Sequence, residues 1–133
     1  MIKHRAVRAV FSEMGVTQGL EIHHNSDVPA RSGLGLSSSF TVGLLNTLYA
    51  LQGRIPTKTA LAAEATRVEQ EVIGERVGCQ DQLWAAYGGL NRINFTRDHG
   101  ISVKPLILSA TRRCELVGSL VFSGLLRFSS EVA

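Results

Sequence analysis

Three groups of residues in this chain have types and spacing suited to chemistry. They are the run Ser32-Gly33-Leu34-Gly35-Leu36-Ser37-Ser38-Ser39, the carboxylate Glu69, and Asp81 within Gly78-Cys79-Gln80-Asp81-Gln82. Glycines let a backbone approach an anion closely, and unpaired N–H groups at a helix start point at it with a favourable dipole. Serine hydroxyls add donors and are hard oxygen ligands for Mg2+. The spelling excludes the familiar loops. GxxxxGK[ST] is absent, GxGxxG fails because Ser38 stands in the last glycine's place, and GxSxG fails because Gly35-Leu36-Ser37-Ser38-Ser39 ends in serine. By itself the run reads as well as a structural N-cap turn as it does as a phosphate cradle.

The carboxylates are read against the helix that carries them. At about 100° per residue, the stripe Leu61, Ala62, Ala65, Val68, Val72 and Ile73 is centred roughly 40° from Glu69. Glu64, Arg67 and Glu71 fall on the opposite side, where charges usually sit. Glu69 alone intrudes on the packing face, so it must meet a cation, a hydrogen-bond donor or a metal. A salt bridge to an arginine is the plain explanation. Asp81 reads either as a helix N-cap or as a general base near a phosphoryl group. Cys79 beside it is a packing residue, with no histidine placed to activate it.

The elements that must position these groups follow from patterning. Residues 2–14 set Ile2, Val7, Val10, Phe11 and Met14 among basic residues, an amphipathic surface helix closed by Gly15. Leu20-Glu21-Ile22-His23 alternates as a half-buried strand and runs into the turn cluster Asn25-Ser26-Asp27. Phe40, Leu44, Leu48 and Leu51 share one helical face directly after the Gly/Ser run. Pro56-Thr57 opens the next helix with Thr57 as N-cap, and Gly74 ends it. A short helical segment, Asp81 to Tyr87, precedes strand-like runs at 90–95, 101–108 and 116–122.

Composition narrows the class. The chain has 133 residues, 44% hydrophobic and 19% charged, which is globular rather than disordered. Fourteen Lys+Arg against eleven Asp+Glu give +3, without the clustered excess of a nucleic-acid groove. Two cysteines without a CxxC, and histidines without metal spacing, argue against a zinc site or a disulfide framework and for free thiols in a reducing cytosol. No signal peptide is read at the basic start. Ser32 to Gly53 carries no charge, but its serines, threonines and glycines make it a loop plus buried helix rather than a membrane span. The oligomeric state stays open.

Taken in order, Pro29-x3-Gly33-Leu34-Gly35-x-Ser37-Ser38, Glu69 and Gly78-x2-Asp81-Gln82 resemble the galactokinase/homoserine kinase/mevalonate kinase/phosphomevalonate kinase (GHMP) superfamily. Ser26-Asp27-Val28-Pro29, Phe40-Thr-Val-Gly-Leu-Leu-Asn46 and Gln80-Asp81-Gln82-x4-Tyr87-Gly88-Gly89 look more narrowly like the bacterial D-glycero-D-manno-heptose 7-phosphate kinases. Pro105-Leu-Ile-Leu and Phe122-x-Gly124-x2-Arg127-x-Ser129-Ser-Glu131 continue the likeness.

The resemblance implies an α+β fold. It would be a partial GHMP-kinase N-terminal domain of the ribosomal protein S5 domain 2-like type, with a mixed sheet and packed helices. Residues 1–110 would form that ATP-binding domain and 111–133 the start of a C-terminal domain, the chain being truncated at both ends. The implied activity is ATP- and Mg2+-dependent phosphorylation of a sugar hydroxyl, the anomeric hydroxyl of a heptose 7-phosphate, in the cytoplasm. The alternative is a non-catalytic remnant that keeps a nucleotide-binding or interaction role. By the same resemblance Ser32, Gly33, Leu34, Gly35, Ser37 and Ser38 surround the ATP phosphates, Ser37 and Glu69 hold Mg2+, and Asp81 takes or orients the proton of the attacking hydroxyl. Two positions depart from the pattern: Arg31 stands where the loop usually has glycine, and Leu36 where it usually has serine. With the substrate-binding segment and second Gly-rich motif missing, the chain alone is expected to be weakly active or inactive.

Overall fold

The computed structural model describes residues 2–28, 32–98 and 100–121. Pro29, Arg31 and His99 lie outside the described residues, as does the motif running from Phe122 to Glu131. The described chain divides into two compact units, one extending through Tyr87 and the other beginning at Gly88.

The first unit is helical. Helix α1, Arg5–Glu13, is capped by His4, whose Nδ1 accepts from the Val7 N–H, and it buries Ala6, Ala9 and Val10. Gly15 turns the chain out of it at φ 62°. Helix α2, Leu36–Leu51, is the centre of the core: Val42, Leu44, Leu45, Leu48 and Tyr49 are all buried. Its exposed positions carry small or uncharged side chains, among them Ser37, Ser39, Gly43, Asn46 and Thr47.

Helix α3, Lys58–Arg67, begins where the sequence predicts, with the Thr57 hydroxyl accepting from the Ala60 N–H at 3.1 Å. It continues without a break into a π-helical turn, Val68–Ile73. The Glu69 carbonyl accepts from the Glu75 N–H at 2.9 Å, and Gly74 at φ 78° ends the element. The wider turn moves Val72, expected on the packing face, out to solvent, while Val68 and Glu69 stay fully buried. Helix α4, Gln80–Tyr87, follows a short irregular stretch and buries Gln82 and Leu83. Ala9 and Val10 of α1, the α2 residues, and Leu61, Ala65 and Val68 form one hydrophobic cluster.

Leu20-Glu21-Ile22-His23 is not a strand. The segment is irregular and exposed, with Leu20 36% and Ile22 42% accessible, because no described strand offers it a ladder of hydrogen bonds.

In the second unit, β1 (Asn91–Phe95) pairs antiparallel with β2 (Ile101–Pro105), with Asn91 opposite Pro105 and Phe95 opposite Ile101. This two-stranded antiparallel ladder is the sheet formed by the described residues, where a mixed sheet was expected. The strand expected at 116–122 is replaced over its first residues by helix α5, Ala110–Gly118. Ser109 caps it by accepting from the Arg112 N–H at 3.3 Å, and Arg112 pairs with Glu115 at 3.2 Å. Those local helix signals outweigh the apolar run that suggested a strand. The architecture is α+β.

Candidate functional site

The Gly/Ser run folds as a loop that starts a helix. Gly33 and Gly35 both adopt left-handed backbone angles, at φ 73° and 69°, which side-chain-bearing residues adopt only at a cost. Gly35 is the N-cap of α2, and its carbonyl accepts from the Ser39 N–H at 2.9 Å. It has no side chain to cap with, so the first N–H groups of α2 are left without a side-chain partner there, at the positive end of the helix dipole. Ser32 is buried at 7% exposure, and its hydroxyl has no partner among the described residues.

Gly35 also meets Asp81. A Cβ placed on Gly35 would lie 2.9 Å from Asp81 Cγ and 3.2 Å from Oδ2. The backbone of the loop therefore approaches the carboxylate more closely than any other residue type allows. Asp81 itself sits in the first turn of α4, exposed, and is not the cap: the Cys79 carbonyl one residue before the helix accepts from the Leu83 N–H at 3.2 Å. The start of α2 and the start of α4 thus bring a cradle of N–H groups and a solvent-facing carboxylate together.

Beneath them is a buried polar cluster. Glu69 is fully buried, and its partners are not cations. Ser38 Oγ donates to Glu69 Oε2 at 2.9 Å, Gln82 Nε2 donates to the same oxygen, and Gln82 Nε2 also reaches Ser38 Oγ at 3.0 Å. The salt bridge to an arginine, the plain explanation for Glu69, is absent among the described residues. Among the described residues, Glu69 Oε1 and Gln82 Oε1 are buried without a partner. Unpaired buried oxygens cost free energy, roughly 1–3 kcal/mol for a neutral group and more for a charged one, so each asks for a ligand.

A groove of about 570 Å³ runs along α2, lined by Leu20, Ile22, His24, Phe40, Leu44 and Leu48 among others. No residue of the 32–38 loop lines it, and neither Glu69 nor Asp81 does. Its wall is mainly apolar, with Glu21, His23, His24, Ser39 and Thr47 among its lining, whereas the unsatisfied polar groups lie near the starts of α2 and α4.

Residues 2–89 match the model of the GHMP kinases N terminal domain. The chain belongs to the GHMP kinase family. Among curated relatives, it is 35% identical over 85 residues to D-glycero-alpha-D-manno-heptose 7-phosphate kinase of Campylobacter jejuni, covering 64% of this chain and 25% of that protein. It is 39% identical over 71 residues to mevalonate kinase of Methanothermobacter thermautotrophicus, covering 53% of this chain and 23% of the relative. It is 30% identical over 89 residues to galactokinase of Glaesserella parasuis, covering 66% and 23%. The chain spans about a quarter of the length of these relatives. The GHMP match ends where the helical unit gives way to the second one.

Of the site residues expected from the GHMP resemblance, Ser32, Gly33, Leu34, Gly35, Ser37 and Ser38 lie on the loop and first turn of α2, with Leu34 61% exposed. Gly35 contacts Asp81, and Ser38 contacts Glu69. Ser37, paired with Glu69 in the expected metal set, is exposed and makes no side-chain contact with it; the hydroxyl bonded to Glu69 is that of Ser38. Gln82 was the residue missed. Its signal was available in the Asp81-Gln82 pair, but an amide next to a carboxylate says nothing of which way it points until α4 packs on α2. Among the described residues no group of three or more His, Cys, Asp or Glu side chains could hold a metal by itself.

Proposed function

We propose that this chain carries the nucleotide and metal site of an ATP-dependent sugar kinase, and that its acceptor is a heptose 7-phosphate. The observation that carries this reading is the contact of Gly35 with Asp81, which sets the proposed phosphate cradle and the proposed base side by side. The heptose acceptor rests on the likeness to the Campylobacter jejuni enzyme together with the wording of the Asp81 motif. Small phosphorylated substrates of this kind support a cytoplasmic location.

Phosphoryl transfer asks a protein chiefly for positioning and charge neutralisation. In this reading the α2 N–H groups, that of Ser38 among them, and the Ser32 and Ser37 hydroxyls bind the phosphate oxygens, and the two left-handed glycines keep the backbone clear of them. Leu36 contributes its N–H there but no hydroxyl. Asp81, exposed and beside the cradle, accepts or orients the proton of the attacking hydroxyl.

The residues present fit Mg2+. The available donors are hard oxygens, a carboxylate oxygen of Glu69 that lacks a partner among the described residues and the Ser38 hydroxyl bonded to its other oxygen. A site with so few protein ligands suits an ion that keeps water and phosphate in its shell. Glu69 with Ser37 or Ser38 would hold it, and when bound it supplies positive charge to the phosphate oxygens. Glu69 is already fixed for that task by two donors on its other oxygen.

Replacing Asp81 with asparagine keeps the shape and removes the proton acceptor. Transfer from ATP to heptose 7-phosphate, followed as ADP release, should fall by about 100-fold or more while Mg-ATP affinity stays within about two-fold. Unchanged turnover would remove Asp81 from the role. Nucleotide binding by the wild-type chain with no transfer at any protein concentration would favour the non-catalytic alternative.

A further inference from the structure

Gln82 is fully enclosed, and nothing in the chemistry described so far uses it. Its neighbours explain why an amide stands there. Ser38 spends its single hydroxyl hydrogen on Glu69 Oε2, and the carboxylate has no hydrogen to give. A group placed between the two must therefore donate to both. A carbonyl or carboxylate would face two acceptors, and a hydroxyl has only one hydrogen. The NH2 of Gln82 does what is needed, donating to Ser38 Oγ at 3.0 Å and to Glu69 Oε2.

This leaves the two carboxylate oxygens of Glu69 in different states. Oε2 receives two hydrogen bonds, and Oε1 receives none from the described residues. We propose that Gln82 is the positioning residue of the metal carboxylate: with Ser38 it pins Oε2, and so leaves Oε1 as the oxygen held ready for a divalent cation. The inference rests on the reading of Glu69 as a metal ligand and adds the group that orients it. Partners of this kind fix a ligand's rotamer, and their loss typically costs about 10- to 100-fold in metal affinity.

Gln82→Met keeps the length and volume of the side chain and removes both donors. The test titrates Mg2+ against ATP binding, using a fluorescent ATP analogue, in the wild-type chain and the variant, with thermal melts alongside. The Mg2+ midpoint should rise about 10- to 100-fold in Gln82→Met, while ATP affinity without Mg2+ changes less than about two-fold. In a Glu69→Gln background the same substitution should add no further shift, because its effect passes through the carboxylate; a merely structural role would give the same added loss in both backgrounds. If Gln82→Met does not fold, Gln82→Leu removes the same two donors and should shift the Mg2+ midpoint in the same direction. A wild-type chain whose ATP binding ignores Mg2+ overturns the metal reading of Glu69 and this inference with it. Mg2+-dependent binding in the wild type, with an unshifted midpoint in the folded variant, overturns the role of Gln82 alone.

Discussion

A carboxylate with no accessible surface and no cation beside it must be held by hydrogen-bond donors. Among the described residues Glu69 is such a group, with donors on one oxygen only. At the same scale, Gly35 is fixed by two separate demands: its φ of 69° and the Asp81 carboxylate where a Cβ would go. Either demand alone makes alanine costly; together they predict a functional effect as well as a stability loss. Gly35→Ala should lower unfolding free energy in urea by about 1–3 kcal/mol and displace Asp81, so that transfer falls further than nucleotide affinity. A variant with wild-type stability and turnover would show that the loop tolerates a side chain at this position. The intrusion of Glu69 on its packing face was legible from helical periodicity. Its partners were not, because Ser38 and Gln82 reach it only through the packing of α2 and α4 against α3.

At the scale of elements, local signals were read correctly where they are self-contained. Thr57 caps α3 and Gly74 ends the π turn that follows, since a cap needs only its own neighbours in sequence. The π turn itself was not legible, and it is what carries Val72 outward from the stripe that assumed uniform helical spacing. Leu20-Glu21-Ile22-His23 alternates as a strand should, but alternation records a preference and a strand needs a partner. In α5 the Ser109 cap and the Arg112–Glu115 pair prevail over an apolar run.

The join between α2 and α3 offers a test of its own. Tyr49, buried in α2, donates its hydroxyl to Glu64 of α3, and that bond, burial and the Glu64 charge together hold its pKa above the ordinary 10.0. Because the folded-state value is the raised one, the stabilisation is intact below the unfolded value and is lost as pH rises through the folded one. Tyr49→Phe should cost about 1.5–3 kcal/mol near neutral pH, and the gap to wild type should narrow at a pH above the ordinary 10.0. Urea unfolding at the two pH values checks this, and a constant gap would mean that the hydroxyl bond does not set the difference.

For the whole molecule, composition alone described a globular chain of 133 residues with a small positive charge. The described residues form two units, and the GHMP match covers the helical one through Tyr87 and reaches the first two residues of the other, Gly88 and Gly89. That unit holds the loop, Glu69, Gln82 and Asp81, so every group proposed to touch nucleotide or metal lies within a single packed body. Nucleotide binding is therefore the property this chain should retain most fully, whatever its rate of transfer. Among the described residues no helix is long and apolar enough to cross a membrane, and the uncharged run from Ser32 to Gly53 is accounted for by the loop and α2.

The most direct measurement is calorimetric titration of the purified chain with ATP, with and without Mg2+, beside Glu69→Gln. The account predicts binding that Mg2+ strengthens by about ten-fold or more in the wild type and leaves nearly unchanged in the variant. Wild-type binding that ignores Mg2+, or a Glu69→Gln chain that responds to it as the wild type does, would contradict the account.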